Sequence, residues 1–228
     1  MAGGGQTAGV ASWHAEPRPS LLVLDLDQTV WPFDAAHPKY GLPHMADPSG
    51  RGGGLRCHGG GTATAFGEAA EIIRALKKGS FSGWRMAVAS CNAQSRVCHS
   101  LLSGFGFMKE AVVGQEASLA GMLSLGGIEE HLLEIYPGGK RTHLQRIADA
   151  SGVAFADMLF FDDRAANIRA AQSLGVAAHQ VSPSQGLTHA AFAAGLAAWR
   201  SQRRSRGALA SWLRAPPAAA RAAAAQAE

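Results

Sequence analysis

An apolar segment that ends in two aspartates constrains this sequence most. Residues 21–24 are aliphatic and are followed by Asp25, Leu26 and Asp27, which predicts a strand over residues 21–27 that is buried on both faces of a parallel sheet. Buried carboxylates cost several kcal/mol unless a cation or hydrogen bonds compensate. We therefore expect a positive group at this strand end, which is also where ligands bind in open α/β sheets.

Strands alternate with helices along the rest of the sequence. Further strands are predicted over residues 84–89, 111–113, 158–161 and 176–179, and helices over residues 93–102, 140–151, 167–174 and 188–199. Another helix is expected to run from a cap at Thr62 or Thr64 to Lys78. In the segment 116–134 we assign only a helix to Leu125, a break at Gly126 and Gly127, and a further segment from Glu129. This order predicts one Rossmann-like, three-layer α/β domain with a central parallel sheet.

The predicted domain covers residues 21–200. Residues 1–20 are rich in Gly, Ala and Pro and are expected to form a flexible leader, and residues 201–228 an Ala/Arg-rich, solvated and partly helical tail. Residues 31–61 carry many prolines and glycines and are expected to form a long loop. Neither this loop nor the segment 114–134 has room for a large cap domain.

Composition narrows the function classes. The net charge of +4 depends on arginines near the C-terminal end, so it gives no indication of a nucleic-acid partner of the core. No apolar stretch reaches the roughly 18 residues of a membrane span. Cys57, Cys91 and Cys98 form no even framework and no CxxC pair, which favours a reducing compartment. We expect a cytoplasmic monomer or weak dimer without a secretory signal, although an organelle address stays open.

Polar side chains are expected to converge at one edge of the sheet. The ends of three predicted strands meet there, and a lysine enters on a loop before a helix. Carboxylate oxygens with few imidazoles or thiolates suit a hard cation, and Mg²⁺ typically takes one or two carboxylates, waters and a substrate phosphate. This set predicts a phosphate site that contains magnesium, and its members are Asp25, Asp27, Ser90, Lys140, Asp162 and Asp163.

The order of these residues resembles a known superfamily. Asp25-Leu26-Asp27-Gln28-Thr29-Val30, Ser90, Lys140 and Asp162-Asp163 are similar to the four motifs of the haloacid dehalogenase superfamily. The flanking residues resemble its small, capless magnesium-dependent phosphatase family more closely. These flanks are Trp31-Pro32-Phe33, Ile135-Tyr136-Pro137-Gly138 and Phe160-Phe161 with Asn167-Ile168. The resemblance covers roughly residues 20–200.

The chemistry and the resemblance imply the same roles for the two aspartates of the first strand. Asp25 is expected to attack phosphorus and form an aspartyl-phosphate, which divides one difficult displacement into two easier ones. Asp27 is expected to protonate the leaving oxygen and later to accept a proton from the attacking water. Side chains alternate along a strand, so positions 25 and 27 point the same way.

The remaining roles concern the metal and the phosphate. The expected Mg²⁺ ligands are the Asp25 carboxylate, the Asp27 carbonyl oxygen and Asp162, and Asp163 would be a further ligand or a neighbouring hydrogen-bond acceptor. The Ser90 hydroxyl and the Cys91 N–H are expected to bind the phosphoryl oxygens. Lys140 is expected to neutralise charge between the nucleophile and the phosphate, and so to serve both catalysis and substrate binding.

Several residues have simpler interpretations that the sequence leaves open. Asp27 and Asp163 could cap the turn or helix that follows each of them, Ser90 could be an ordinary strand-end serine, and Lys140 a solvated lysine. A zinc site at Cys57-His58 is disfavoured because no second ligand pair stands at a suitable spacing. The aromatic side chains of Trp31 and Phe33 are expected to pack and to shape a flap.

Three departures from the family pattern bear on the substrate. Gln28 stands where tyrosine is common, Cys91-Asn92 where Arg or Thr is common, and Arg164 where an acidic residue is usual. An open site implies phosphotyrosyl peptides or phosphorylated sugars and glycated amines as candidate partners. A receiver-type phospho-acceptor domain and a non-catalytic binding module remain as alternatives.

Overall fold

The computed structural model describes residue 13 and residues 16–46, 53–77, 84–109 and 126–214, without the side chains of 212–214. Its strands are β1 (Leu21–Leu24), β2 (His44–Ala46), β3 (Leu55–Cys57), β4 (Thr62–Ala63), β5 (Arg85–Ser90), β6 (Gly127–Ile135), β7 (Met158–Asp162) and β8 (Ala177–Gln180). Its α-helices are α1 (Gly67–Lys77), α2 (Ser95–Gly104), α3 (Lys140–Ser151), α4 (Ala165–Gln172) and α5 (His189–Arg214). The predicted strand 111–113 and the helix to Leu125 lie outside the described residues.

The central sheet has five parallel strands in the order β6-β5-β1-β7-β8. All four residues of β1 are fully buried in the middle of this sheet, as a run of aliphatic residues dictates. Side chains of β1, β5 and β7 alternate between two apolar cores, one shared with α1, α2 and α5 and the other with α3 and α4. The predicted three-layer α/β fold is therefore confirmed.

The edge strand β6 is the strand of the central sheet that the sequence pattern did not assign. Its sequence contains Glu129, Glu130, His131 and Glu134, which hides the apolar pattern of a buried strand. Glu129 is nevertheless only 7% exposed, because its carboxylate accepts hydrogen bonds from Arg85 at 2.7 and 3.2 Å. A pairing between residues 44 positions apart is not visible in a local pattern.

The predicted loop 31–61 contains structure of its own. The strands β2, β3 and β4 form a small antiparallel sheet, and a short 3₁₀ helix spans Pro38–Tyr40. Ahead of it, Trp31 stacks on Phe33 at 5.7 Å between ring centroids, and Phe33 on Tyr40 at 3.9 Å. The aromatic rings thus pack as predicted. The described residues 31–46 and 53–63, called the flap below, are the largest addition to the sheet domain among the described residues.

The predicted boundaries change most at three places. The first strand, predicted over residues 21–27, ends at Leu24. Because Thr62 and Ala63 belong to β4, α1 begins at Gly67, not at a threonine cap. The last helix continues past position 201 to Arg214, and Arg206 donates to the carbonyl oxygen of Gly175 at 2.6 Å. Residues 201–214 of the expected, partly helical tail therefore belong to this helix.

The expected leader is also partly packed on the domain. Trp13 is 4% exposed, and its ring contacts Phe192 at 5.1 Å between centroids. The N–H of Ser20 donates to the carbonyl oxygen of Asp157 at 2.8 Å.

Among the described residues, none of the helices combines the length and hydropathy that a membrane crossing needs.

Candidate active site

Strand register brings Asp25 and Asp162 side by side. Leu24 of β1 pairs with Phe161 of β7, so the next residue of each strand is an aspartate, and the Asp25 N–H donates to the Phe161 carbonyl oxygen at 3.0 Å. Both aspartates continue the alternation that faces the α3 layer, because Val23 and Phe160 pack in the core shared with α3. The two carboxylates therefore lie where α3 begins.

Lys140, the first residue of α3, supplies the positive group expected at this edge. Its ammonium lies 2.5 Å from Asp25 Oδ1 and 3.2 Å from Asp162 Oδ2, and it also donates to the Ala89 carbonyl oxygen. Only 2% of the residue is exposed. Burial alone would lower the pKa of Lys140, but the two carboxylates outweigh it and raise that pKa. Lys140 is therefore a buried, permanently charged ammonium rather than a solvated lysine.

Asp162 is held by donors from the loop that follows β7. One of its oxygens accepts the Arg164 N–H at 2.8 Å, and the Asn167 amide reaches both oxygens at 3.0 Å. The residue is fully buried. Asn167 belonged to the quoted motif, but the sequence assigned it no role, because its contact depends on the turn into α4.

Asp163 faces the same cluster. The N-cap position of α4 is occupied by Arg164, so the alternative role of Asp163 as the helix cap is not what the structure shows. One carboxylate oxygen each of Asp25, Asp162 and Asp163 lies within 4.8 Å of the others. Burial raises the pKa of Asp163, and the neighbouring Asp162 raises it further.

This donor set fits a hard divalent cation. Three carboxylates converge, two of them buried, and oxygen ligands are those that Mg²⁺ prefers. Burial raises the pKa of Asp25 to about 7 against the opposing effect of Lys140, and the charge of Asp162 adds to the rise. A single ammonium thus leaves excess negative charge that a cation would compensate. Cys57 and His58 belong to no such group among the described residues.

Asp27 lies beyond the end of β1, and its carboxylate is held by uncharged donors. Its Oδ1 accepts the Trp31 indole N–H at 2.7 Å and the Ala35 N–H at 3.2 Å, and its Oδ2 accepts the Asn92 amide at 2.7 Å. The turn after Asp27 is closed by the Leu26 carbonyl oxygen instead, so the carboxylate does not cap that turn. Burial raises the pKa of Asp27, and the hydrogen bonds from Asn92 and Trp31 oppose the rise.

Ser90 and Cys91 mark the end of β5. Ser90 is 2% exposed, and its hydroxyl oxygen accepts the Asn92 N–H at 3.3 Å. The Cys91 thiol donates to the Gly138 carbonyl oxygen at 3.1 Å, on the loop that leads to Lys140. Both residues thus lie at the carboxyl end of β5 and line the same cavity as Asp25 and Asp27.

A cavity of about 370 Å³ joins these groups. Its lining includes every predicted site residue except the fully buried Asp162, and also residues that carried no predicted role, among them Asp34, Asn92 and Asn167. Gln28 and Arg164, two departures from the family pattern, line it too. The cavity lining therefore combines carboxylates and an ammonium with residues at which this chain differs from the pattern.

Comparisons with known proteins agree with this geometry. The chain matches the acid phosphatase family over residues 17–202 and therefore belongs to it. It is 30% identical over 160 residues to human magnesium-dependent phosphatase 1, which covers 69% of this chain and 75% of that protein. These matches confirm the resemblance to the magnesium-dependent phosphatases of the haloacid dehalogenase superfamily.

Among solved structures, the chain also matches the N-terminal part of a Bacteroides fragilis protein that contains a phosphatase domain complexed with Mg. The TM-score is 0.46 at 14% sequence identity, and the match covers 82% of this chain. The chain spans 43% of the length of that structure.

Proposed function

We propose that this protein is a magnesium-dependent phosphomonoester hydrolase that acts through an aspartyl-phosphate intermediate. One observation carries the proposal: Asp25 lines an open cavity beside a buried ammonium, while a second carboxylate, Asp27, lines the same cavity on separate supports. A nucleophile and an acid–base group that do not share a partner are what a two-step displacement at phosphorus needs.

In the first step, an oxygen of Asp25 forms a bond to phosphorus while the bond from phosphorus to the ester oxygen breaks. Asp27 donates its proton to that departing oxygen, so that an alcohol leaves instead of an alkoxide. In the second step, a water attacks the phosphorus of the aspartyl-phosphate and gives a proton to Asp27, while the bond from phosphorus to the Asp25 oxygen breaks. Inorganic phosphate leaves, and both carboxylates return to their starting states.

Other groups would stabilise the charge on the transferred phosphoryl group. The Lys140 ammonium already contacts the nucleophile and lines the cavity, and the Ser90 hydroxyl and the Cys91 N–H would donate to phosphoryl oxygens. The carboxylates of Asp25, Asp162 and Asp163 and the carbonyl oxygen of Asp27 would hold Mg²⁺. When bound, that ion supplies positive charge to the phosphoryl oxygens.

The substrate class follows from the open site. No large cap covers the cavity in the part of the chain that the structure describes, so a phosphate group at the end of a bulky molecule has access. We propose phosphotyrosyl peptides, and hence protein tyrosine phosphatase activity, or phosphorylated sugars and glycated amines as substrates. A panel of both classes, ranked by kcat/KM, distinguishes them.

The proposal is tested with p-nitrophenyl phosphate and Mg²⁺. We expect steady release of phosphate that stops when Mg²⁺ is chelated and is abolished in Asp25→Asn. The exposed Asp149, which lies on α3 away from the cavity lining, gives the matched control Asp149→Asn with unchanged activity. A stable phosphoprotein without turnover would identify a receiver-type domain. A chain that neither releases phosphate nor becomes labelled would be a binding module.

A further inference from the structure

The two oxygens of the Asp27 carboxylate have different surroundings. Oδ1 accepts two donors that the fold fixes, the indole N–H of the fully buried Trp31 and the main-chain N–H of Ala35. A carboxylate oxygen offers about two lone-pair positions, so both positions of Oδ1 are taken. A proton on Oδ1 would face two N–H groups. Oδ2 is therefore the oxygen that can gain or lose a proton.

Oδ2 has one donor among the described residues, the side-chain amide of Asn92 at 2.7 Å. The orientation of this amide is fixed from its other end, because Asn92 Oδ1 accepts the Gln94 N–H at 2.7 Å. The NH₂ group therefore has to face the carboxylate. It occupies one lone-pair position of Oδ2 and leaves the other for the proton.

The same amide also bridges to a second carboxylate. Asn92 Nδ2 donates to Asp34 Oδ1 at 3.1 Å, and that oxygen accepts the Ala36 N–H at 2.8 Å as well. Asp34 belongs to the chain segment that follows the Trp31 indole, so one buried side chain from the loop after β5 ties this segment to Asp27. Asn92 is only 7% exposed, and its amide lies between two like-charged groups.

From this geometry we propose that Asn92 is a positioning residue for the acid–base step: it holds Oδ2 of Asp27 toward the cavity and leaves one lone pair free for the transferred proton. The inference depends on the proposed function, since it assigns Asn92 a part in the reaction of that same site. Asn92 stands where the family pattern commonly has Arg or Thr. The proposed role of its amide is therefore inferred from this chain and is not implied by the family resemblance.

The leaving group provides a test that a merely structural role would not satisfy. An alkyl phosphate needs a proton on its departing oxygen, whereas 2,4-dinitrophenyl phosphate releases a stable anion without one. We expect Asn92→Ala to lower kcat/KM for the alkyl ester by about 10- to 100-fold and for the dinitrophenyl ester by no more than about threefold. Equal losses on the two esters, or no loss on either, would overturn the proposal.

Two further variants decide how Asn92 acts. In Asp27→Asn, the addition of Asn92→Ala should cause no further loss on the alkyl ester, because a residue that acts only through Asp27 has nothing left to position. Independent, additive losses would contradict the proposal. Asn92→Ser, which keeps one donor, is expected to lie between wild type and Asn92→Ala, and it carries the same comparison of esters if the alanine variant does not fold.

The matched control is Gln94→Ala. The exposed Gln94 side chain makes no cap hydrogen bond to α2, and its main-chain N–H to Asn92 is retained in the variant. Both esters should be hydrolysed at wild-type rates. If the wild-type protein hydrolyses neither ester, the proposed function fails; if it hydrolyses both and only the predicted difference between the esters is missing, the role of Asn92 alone fails.

Discussion

The two walls of the cavity hold their carboxylates by different means. On the α3 side, Asp25 and Asp162 share the Lys140 ammonium at 2.5 and 3.2 Å. On the flap side, Asp27 is held by an indole, an amide and a main-chain N–H. A full positive charge favours the ionised form of its partners strongly, whereas neutral donors fix a position and still permit protonation. In the proposed mechanism, the neutral donors suit an acid–base group that must exchange a proton. Burial raises the pKa of Asp25 to about 7 despite Lys140, so the proposed nucleophile would need the metal cation as well to stay anionic.

The largest expected effect comes from removing the cation of the first wall. Lys140→Met leaves Asp25 and Asp162 buried against each other, and breaking a buried ion pair in this way costs about 3–5 kcal/mol of unfolding free energy. Hydrolysis should fall by about 10²- to 10³-fold, the loss typical of one preorganised donor. Urea unfolding and the rate of phosphate release measure the two effects.

Added Mg²⁺ sharpens this result. A divalent cation can replace part of the missing charge, so it should raise the urea midpoint of Lys140→Met more than that of wild type. The exposed Lys109 gives the control Lys109→Met, which should keep both stability and activity. A Lys140→Met protein as stable as wild type without Mg²⁺ would show that the ammonium does not hold this wall together.

The next prediction distinguishes a residue that orients a proposed metal ligand from one that orients the proposed acid–base group. Asn167→Ala removes the amide that contacts both oxygens of Asp162. Residues that orient a metal ligand typically contribute about 10- to 100-fold to metal affinity, so the Mg²⁺ concentration for half-maximal hydrolysis should rise by that factor while kcat at saturating Mg²⁺ is retained. Asn92→Ala should lower kcat and leave the Mg²⁺ concentration for half-maximal hydrolysis unchanged. A similar Mg²⁺ dependence in the two variants would contradict the distinction between the walls.

The smallest effect concerns a single neutral donor. Trp31→Phe deletes the hydrogen bond to Asp27 Oδ1 and keeps an aromatic ring beside Phe33. We expect a loss of about 1–2 kcal/mol in unfolding free energy and a several-fold lower kcat, with no change in the Mg²⁺ dependence. Thermal unfolding and Mg²⁺ titrations check this. Phe33→Leu is the control for packing, because it disturbs the ring stack but removes no donor.

The first wall could largely be predicted from the sequence. Apolar segments of four residues precede Asp25 and Asp162, and the register of a parallel sheet places such ends together. The helix predicted over residues 140–151 has the observed bounds, because its apolar spacing is regular. In the structure, Gly152 ends it in a left-handed conformation with φ 69°. Local patterns of this kind determined both the fold class and the position of Lys140.

Asp27 of the second wall is a predicted site residue, but the contacts that hold it could not be predicted in the same way. The contacts of Asn92 with Asp27 and Asp34 join residues 65 and 58 positions apart, and they form only when the segment after β1 folds back over the loop after β5. No periodic pattern in the sequence predicts these contacts. The strand β6 was missed for a related reason, since the charge that buries Glu129 comes from Arg85 on the neighbouring strand.

Lys140 is both the first residue of α3 and the cation of the site. The helix is anchored to the sheet at this end, where Lys140, His143 and Leu144 are 2%, 0% and 0% exposed. Fraying of the first turn of α3 would therefore draw the ammonium away from Asp25 before the rest of the domain loosened. On warming, we expect the loss of activity to begin no later than the first hydrogen exchange of the α3 amides. The rate of hydrolysis would then detect a local opening that a global melting curve does not.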